Sequence, residues 1–168
     1  SFAAHWVQAA LIEQISGQDY RQFVKEQIID ALALKNLYLG VPQSEHERLA
    51  GSYYLNAAGE HVHSHEFDHL EFWQAGVPGA GGYATADDVA LFYQMLLNQG
   101  EFGDKRIMSQ KAVKEFSTIH TGDLPTAFTP GNGWGVGCCI VRDPQGPTSA
   151  LSSGTFGHGG AFGTQSWA

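Results

Sequence analysis

The sequence predicts an α+β fold, with helices packed on an antiparallel sheet. Apolar residues recur at helical spacing in the first part of the chain, whereas alternating patterns typical of strands lie near its end. A chain that runs from helices to strands favours an α+β protein over a fold in which the two alternate. With 168 residues, of which 43% are hydrophobic, the chain is long enough for one domain with a buried core.

Two helices are predicted at the start of the chain. The second begins at Asp19, whose side chain suits an N-cap, and continues to about Leu32. Both helices are expected to pack through their apolar faces and to carry no chemistry of their own. The first ends at Gly17, a residue type that commonly stops helices, and its apolar residues are Trp6, Val7, Ala10, Leu11 and Ile15.

Residues 43–82 are predicted to be mostly irregular. Within them, residues 53–55 and 61–63 are predicted to pair as a short hairpin around a turn that ends at Gly59. The glycine-rich segment 76–82 is predicted to be a loop, in which the backbone can bend sharply or approach a ligand closely.

Two further helices are predicted after this loop. Thr85 is the N-cap of the first, because Asp87 and Asp88 then lie in its first turn, where the helix dipole favours negative charge. The second is shorter and extends from a cap at Ser109 to about Ile119.

The end of the chain is predicted to form a sheet. Residues 133–142 alternate as one strand, on which Gly135 and Gly137 leave a smooth face for a closely packed helix. A second strand is predicted to begin near Thr155. The adjacent Cys138 and Cys139 point to opposite faces of a strand, so we predict buried thiols and no disulfide.

Composition and charge narrow the classes of partner. The chain has 9 Lys and Arg against 17 Asp and Glu, a net charge of -8, and no basic patch, which argues against nucleic acid. No apolar run approaches the roughly 20 residues of a membrane helix. The sequence begins at Ser1 without a signal-peptide pattern and stops at Ala168 within a strand-like stretch. We therefore expect residues 1–168 to be a partial domain that lacks an N-terminal part and the last strands or a helix.

The motif with the most chemical content is Gly157-His158-Gly159-Gly160-Ala161. Glycines let the backbone approach another molecule closely, so a His among them can present both a ring nitrogen and backbone N–H groups. Acyl-transfer enzymes need this combination, because backbone N–H groups stabilise the oxyanion. The alternative interpretation is a glycine-rich turn with an incidental His.

Six parts of the sequence share the pattern of one enzyme family. They are residues 11–18, 23–34, 81–88, 92 with 95–98, 134–137 and 156–160. Together they resemble the penicillin-recognising serine hydrolases, which include class C β-lactamases, DD-peptidases and β-lactamase-fold esterases. The resemblance extends over nearly the whole chain and implies a fragment of the serine β-lactamase/transpeptidase-like fold.

The resemblance implies three active-site elements. They are Ser-x-x-Lys, then Tyr-x-Asn or Tyr-Ser-x, and finally Lys-Thr-Gly or a His-x-Gly substitute. His158-Gly159-Gly160 matches the third element, and Ser1 matches the middle position of the second. Phe2 stands where many members have Asn, which favours the esterase-like branch over β-lactam hydrolysis. The first element is absent, because Lys111 follows Ser109 by two residues and not by three.

The mechanism implied by the resemblance is serine hydrolysis of an ester, amide or lactam carbonyl through an acyl-enzyme. The nucleophile would lie upstream of Ser1, the Ala161 N–H would be an oxyanion donor, and His158 would orient the substrate or the Tyr. The implied partner is a small-molecule ester, amide or β-lactam, with no cofactor. The implied substrate-binding residues are Gly159, Gly160 and Phe2. Trp73 is a further candidate for substrate binding, because it precedes the glycine-rich loop 76–82.

Two other function classes compete with this interpretation. One is a metal-dependent hydrolase, since His-x-His spacing can bring imidazoles to one face of a strand and imidazole binds zinc. This alternative uses the cluster His61, His63, His65 and His69. Its match to metal-dependent lactamases fails where His65-Glu66 replaces the diagnostic Asp-His.

The second competing class is a non-catalytic protein that keeps the fold and binds a ligand.

Overall fold

The structure is a computed structural model, and it describes residues 3–125 and 129–168. The chain divides into two compact units, Ser1–Leu91 and Phe92–Ala168, and each combines helices with antiparallel strand pairs. The predicted α+β class is therefore confirmed. No helix in the two described ranges has both the length and the apolar composition needed to cross a membrane.

The first unit contains helices joined by two small strand pairs. Strand β1 pairs antiparallel with β4, and β2 pairs antiparallel with β3. Helix α2 continues into a π-helical turn over Lys25–Ile29. The elements that begin in this unit are α1 (Ala3–Ser16), α2 (Tyr20–Val24), β1 (Tyr38–Leu39), β2 (Tyr53–Leu55), β3 (His61–His63), α3 (Leu70–Ala75), β4 (Gly82–Tyr83) and α4 (Ala86–Leu97).

Helix α1 ends where it is predicted to end, but it is not buried as predicted. It ends at Ser16, and Gly17 follows with a φ of 71°, as expected for a helix stop. Its one buried residue is Ala9, whereas Ile15 is 84% exposed. The expectation that the apolar stripe packs into the core is therefore wrong in this chain, because helical spacing defines a shared face without specifying what covers it.

The N-cap predicted for α2 is confirmed. The Asp19 carboxylate accepts a hydrogen bond from the Arg21 backbone N–H at 2.9 Å. The Arg21 guanidinium also donates to this carboxylate, at 2.9 Å and 2.6 Å, and this pairing lowers the pKa of Asp19 to about 2. The cap and the ion pair thus hold the start of α2 in the same place.

Asp88 joins the start of α4 to the segment that follows α2. Asp88 is buried, with 4% of its surface exposed. Its carboxylate accepts hydrogen bonds from the backbone N–H groups of Lys35 at 3.3 Å and Asn36 at 2.5 Å. The Asp88 N–H donates to Thr85 Oγ1 at 3.4 Å, which confirms the predicted N-cap. A buried carboxylate needs such donors, because they replace the hydrogen bonds that water would supply.

The second unit is built around a four-stranded antiparallel sheet with the strand order β10-β9-β8-β7. Its buried apolar residues include Met95, Leu96, Ile140 and Phe156. The elements of this unit, after the end of α4, are β5 (Glu101–Phe102), β6 (Lys105–Arg106), α5 (Gln110–Phe116), β7 (Asn132–Trp134), β8 (Cys139–Val141), β9 (Phe156–Gly159) and β10 (Gln165–Trp167).

The prediction of one continuous strand over residues 133–142 is wrong. The chain reverses between β7 and β8, so that Trp134 lies opposite Cys139 and Gly133 opposite Ile140. Gly137 has a φ of 92°, a conformation that glycine adopts without strain, and it makes the reversal possible. A tight hairpin and a single strand have the same side-chain alternation, so the period alone does not separate them.

The smooth strand face predicted on these glycines does not form, because Gly137 lies in the reversal and not on a strand. Gly135 still approaches a helix end closely, since a Cβ there would lie 2.3 Å from the carbonyl oxygen of Phe116, at the end of α5. The Cys138 thiol donates to the same carbonyl at 3.0 Å. Cys138 and Cys139 are both buried and unpaired, as predicted, and burial raises the pKa of the Cys138 thiol to about 11.

We predict that Asp88→Asn lowers the free energy of unfolding. The asparagine amide lacks the charge and one of the two acceptor oxygens of the carboxylate. A buried backbone N–H therefore loses its partner, at a cost of about 1–3 kcal/mol beyond the control. The control is Asp87→Asn, an exposed carboxylate in the same helical turn. Urea unfolding measures both variants, and equal effects would contradict the role given to Asp88.

We also predict that Met95→Ala costs about 2–5 kcal/mol of unfolding free energy, because a fully buried side chain leaves a cavity. Met95 is 0% exposed, whereas Leu97 on the same helix is 60% exposed. Leu97→Ala is therefore the control and should change the free energy by less than about 0.5 kcal/mol. Guanidinium unfolding distinguishes these outcomes, and a tolerant Met95 would mean that this core is not tightly packed.

Candidate active-site hairpin

The motif 157–161 lies on a hairpin formed by β9 and β10. Gly157 lies opposite Trp167, His158 opposite Ser166 and Gly159 opposite Gln165. Beyond the strands, the Gly160 N–H donates to the Thr164 carbonyl at 2.7 Å and closes the turn. The predicted strand near Thr155 is confirmed, since β9 begins one residue later at Phe156.

Gly157 is the tightest point of this hairpin. A Cβ at this position would lie 2.1 Å from the Ser166 carbonyl oxygen and 2.8 Å from the Trp167 Cα. Both atoms belong to backbone, so neither can swing away as the end of a side chain could. Glycine is therefore required at 157 by the close approach of β10.

His158 projects from this strand with an exposed side chain. Its Nδ1 lies 2.5 Å from the carbonyl oxygen of Gly159. The Trp134 ring, at the end of β7, meets the imidazole in an edge-on arrangement, with 5.2 Å between ring centroids and 67° between planes. The imidazole is thus accessible while two neighbours restrict its orientation.

Ala161 lies in the turn that follows, outside the strand ladder. It is exposed, and its N–H has no acceptor among the described residues. Backbone N–H groups without an internal partner are suited to bind an anion or a developing oxyanion. His158, Gly159, Gly160 and Ala161 are therefore brought together on one short hairpin, as the sequence predicts.

Tyr93 is a supporting residue that the sequence analysis missed. Its hydroxyl donates to the Ser166 carbonyl oxygen at 3.0 Å and lies 3.1 Å from Ser166 Oγ. Burial raises the pKa of this hydroxyl. Tyr93 thereby fixes the residue that pairs with His158 to helix α4. The helical spacing of Tyr93 gave no sign of this contact, because a stripe position usually implies packing alone.

The remaining predicted site residues are less informative. Ser1 and Phe2 lie outside the described residues. Trp73 belongs to α3 in the first unit, where its ring packs edge-on against His46, with centroids 5.3 Å apart. Its backbone carbonyl accepts from the Val41 N–H at 2.7 Å. The predicted role of Trp73 in substrate binding stays a prediction.

The four histidines of the metal alternative do not form a metal centre in the structure. The predicted hairpin of β2 and β3 is present, and His63 Nε2 lies 2.8 Å from the buried carboxylate of Asp68. His69 instead pairs with Glu71 at 3.0 Å. Across residues 3–125 and 129–168, no group of three or more His, Cys, Asp or Glu is arranged to hold a metal ion.

Asp68 connects the β2–β3 hairpin to its neighbours through hydrogen bonds. Its carboxylate accepts from the Ser52 backbone N–H at 2.6 Å and from Ser52 Oγ at 3.2 Å, in addition to its contact with His63. The Tyr53 ring packs on the His63 imidazole, with 5.2 Å between centroids. These contacts tie the β2–β3 hairpin to the loop that precedes α3, which is a structural role.

Comparison with curated proteins finds a relative of similar sequence over a limited part of its length. Protein Rv1367c of Mycobacterium tuberculosis (strain ATCC 25618 / H37Rv) is 27% identical over 178 residues. The match covers 96% of this chain and 41% of the relative. The chain therefore spans about two fifths of the length of this curated relative.

Comparison with solved structures finds the same fold in hydrolases. EstCE1, described as a hydrolase with promiscuous acyltransferase activity, has a TM-score of 0.71 and 23% identity, covering 95% of this chain and 45% of that chain. A D-stereospecific amidohydrolase from Streptomyces sp. has a TM-score of 0.61 and 21% identity, covering 97% of this chain and 43% of that chain. At these identities the likeness establishes the fold.

The family follows from a match that is independent of these structures. The family model described as Beta-lactamase matches residues 1–168, which is the whole sequence. The helices and the antiparallel sheets agree with that assignment. The chain belongs to the Beta-lactamase family.

Proposed function

We propose that this chain is part of a serine hydrolase that acts on an ester, amide or lactam carbonyl through an acyl-enzyme. The observation that carries the proposal is the β9–β10 hairpin. It presents an exposed imidazole at His158 and, at Ala161, a backbone N–H with no acceptor within residues 3–125 and 129–168. Acyl transfer uses both kinds of group, one near the reacting hydroxyl or substrate and one at the oxyanion.

The proposed reaction has two half-reactions. A serine Oγ attacks the carbonyl carbon, and the carbonyl oxygen becomes an oxyanion held by the Ala161 N–H and the nucleophile's own N–H. The tetrahedral species collapses, the leaving group takes a proton and departs, and an acyl-enzyme remains. Water then attacks the acyl carbon, which releases the acid product and restores the serine hydroxyl.

The nucleophile of this mechanism is assigned to a segment other than the described hairpin. No Ser-x-x-Lys occurs in the 168 residues, since Ser109 is followed by Lys two positions on, at Lys111. Ser109 Oγ also accepts from the Ala112 N–H at 3.1 Å, so this hydroxyl is occupied as the N-cap of α5. We therefore propose that the nucleophilic Ser and its Lys belong to a part of the protein outside these 168 residues.

Two structural likenesses and one residue of the sequence support the proposed substrate class. EstCE1 is described as a hydrolase with promiscuous acyltransferase activity, and another likeness is a D-stereospecific amidohydrolase. Both descriptions imply cleavage at an acyl carbon, which agrees with the proposed chemistry. Phe2, at a position where many members have Asn, favours the esterase-like branch within this class.

The decisive experiment labels the protein isolated from its native source with a fluorophosphonate probe. Mass spectrometry then identifies the modified peptide. A label on a Ser three residues before a Lys, upstream of the Ser1 position, is the expected result. Absence of label on folded protein, with a known serine hydrolase labelled in the same mixture, would favour the non-catalytic ligand-binding alternative.

We predict that the purified 168-residue chain alone releases no burst of nitrophenol from a nitrophenyl ester. The reason is that the groups of the hairpin stabilise a reaction whose nucleophile is absent from this sequence. Stopped-flow absorbance measures the burst, and His158→Ala is the matched control for slow surface hydrolysis. A burst stoichiometric with the chain would contradict the assignment of the nucleophile.

We further predict that Ala161→Pro lowers kcat of the protein from its native source by about 10²–10³-fold, because proline removes one oxyanion donor. Ala161→Ser retains the backbone N–H in the same exposed turn and should retain most of the activity. Steady-state hydrolysis of a nitrophenyl ester measures both variants. Equal activity of the two would exclude the Ala161 N–H as the oxyanion donor.

A further inference from the structure

We propose that the Gly159 carbonyl and Trp134 together hold His158 in the tautomer protonated on Nδ1. The Nε2 of this exposed imidazole then carries a lone pair and acts as a hydrogen-bond acceptor. This inference concerns the charge and the donor pattern of the third active-site element. Its consequence for substrates rests on the proposed function, whereas the tautomer itself does not.

The tautomer follows from the partner of Nδ1. This nitrogen lies 2.5 Å from the Gly159 carbonyl oxygen, and a carbonyl oxygen can only accept. Nδ1 must therefore be the donor and carry the proton. In a neutral imidazole the other nitrogen is then unprotonated, so Nε2 presents a lone pair.

Trp134 restricts the ring that makes this hydrogen bond. Its indole meets the imidazole edge-on at 5.2 Å, an arrangement typical of interacting aromatic rings. Two hydrogen bonds fix Trp134 itself. Its backbone N–H donates to Thr121 Oγ1 at 3.0 Å, and its indole Nε1–H donates to Thr129 Oγ1 at 3.3 Å. Its backbone carbonyl accepts from the His120 N–H at 2.8 Å. Trp134 is thus a positioning residue for His158.

The chemical consequence is a difference from a lysine at the same position. A lysine ammonium has three donors, a fixed charge and no acceptor. A neutral His158 with a free Nε2 accepts a hydrogen bond from a hydroxyl or an amide N–H and does not attract a carboxylate. We therefore assign to this site an uncharged ester or an amide that offers a donor, in preference to a substrate with a carboxylate at this position.

The direct test is nuclear magnetic resonance of the 168-residue chain labelled with ¹⁵N. A ¹H–¹⁵N correlation spectrum through two-bond couplings, recorded where the imidazoles are neutral, separates a protonated ring nitrogen from one with a lone pair. His158→Gln identifies the signals of His158. We expect the proton on Nδ1, and a His158 protonated on Nε2 would overturn the proposal regardless of any variant.

Two other histidines of this chain serve as controls, because they contact a carbonyl oxygen through Nε2 and not through Nδ1. His46 Nε2 lies 3.0 Å from the Val41 carbonyl, and His120 Nε2 lies 2.9 Å from the Glu115 carbonyl. By the same reasoning, both should be protonated on Nε2, opposite to His158. If all three imidazoles showed one tautomer, the carbonyl contacts would not be setting the proton position, and the proposal would fail.

Three tryptophan variants test the positioning role. Trp134→Leu should convert His158 to an averaged mixture of tautomers, because the imidazole is no longer held against the Gly159 carbonyl. Trp73→Leu removes the matched edge-on partner of His46, at 5.3 Å, and should leave the His158 signals unchanged. Trp134→Phe keeps an aromatic edge and should keep the Nδ1 tautomer, so it provides the test if the leucine variant does not fold. An unchanged His158 tautomer in folded Trp134→Leu would remove Trp134 from the proposal.

The substrate consequence is tested on the protein from its native source. Two nitrophenyl esters of equal acyl length are compared, one ending in a methyl group and the other in a carboxylate. We expect a higher kcat/KM for the uncharged ester, and a several-fold smaller preference in His158→Lys. A wild-type preference for the carboxylate would overturn the substrate assignment. Failure to hydrolyse either ester would count against the proposed function and would leave the tautomer to the spectrum.

Discussion

The close approach of β10 to the backbone of Gly157 is the constraint on which the candidate site depends. The Ser166 carbonyl lies where a side chain at 157 would begin, so the two strands can only pair at this distance around a glycine. That pairing sets His158 opposite Ser166, and Tyr93 secures Ser166 from α4. The position of the imidazole and of the turn that follows it therefore depends on one missing Cβ.

Local signals in the sequence predicted many elements because their causes are local. The side chains of Asp19, Thr85 and Ser109 accept the expected hydrogen bonds at helix starts, since a cap needs only a suitable side chain and the N–H groups of the next turn. The β2–β3 hairpin was likewise predictable, because its turn places Gly59 at a φ of 79°. The grouping of residues 158–161 on one hairpin followed from their adjacency in the chain.

Features that depend on distant residues could not be predicted in this way. The reversal at Gly137 was missed because a hairpin and a strand share the same alternation, and the α1 stripe was expected to be buried although Ile15 is 84% exposed. Tyr93 and Trp134 each contact the β9–β10 hairpin through a partner far away in sequence, and the spacing of neither residue indicates that contact. Such contacts depend on how elements meet, which a periodic pattern does not encode.

The glycines around His158 also bear on how such a strand can change during evolution. Position 157 tolerates no side chain because its nearest neighbours are backbone atoms, whereas the side chain of 158 projects outwards and is exposed. Mutations at 157 are therefore filtered by folding, while those at 158 leave the strand pairing intact and are filtered by activity. One codon in this strand can exchange its functional group, cationic or neutral, without altering the hairpin that presents it.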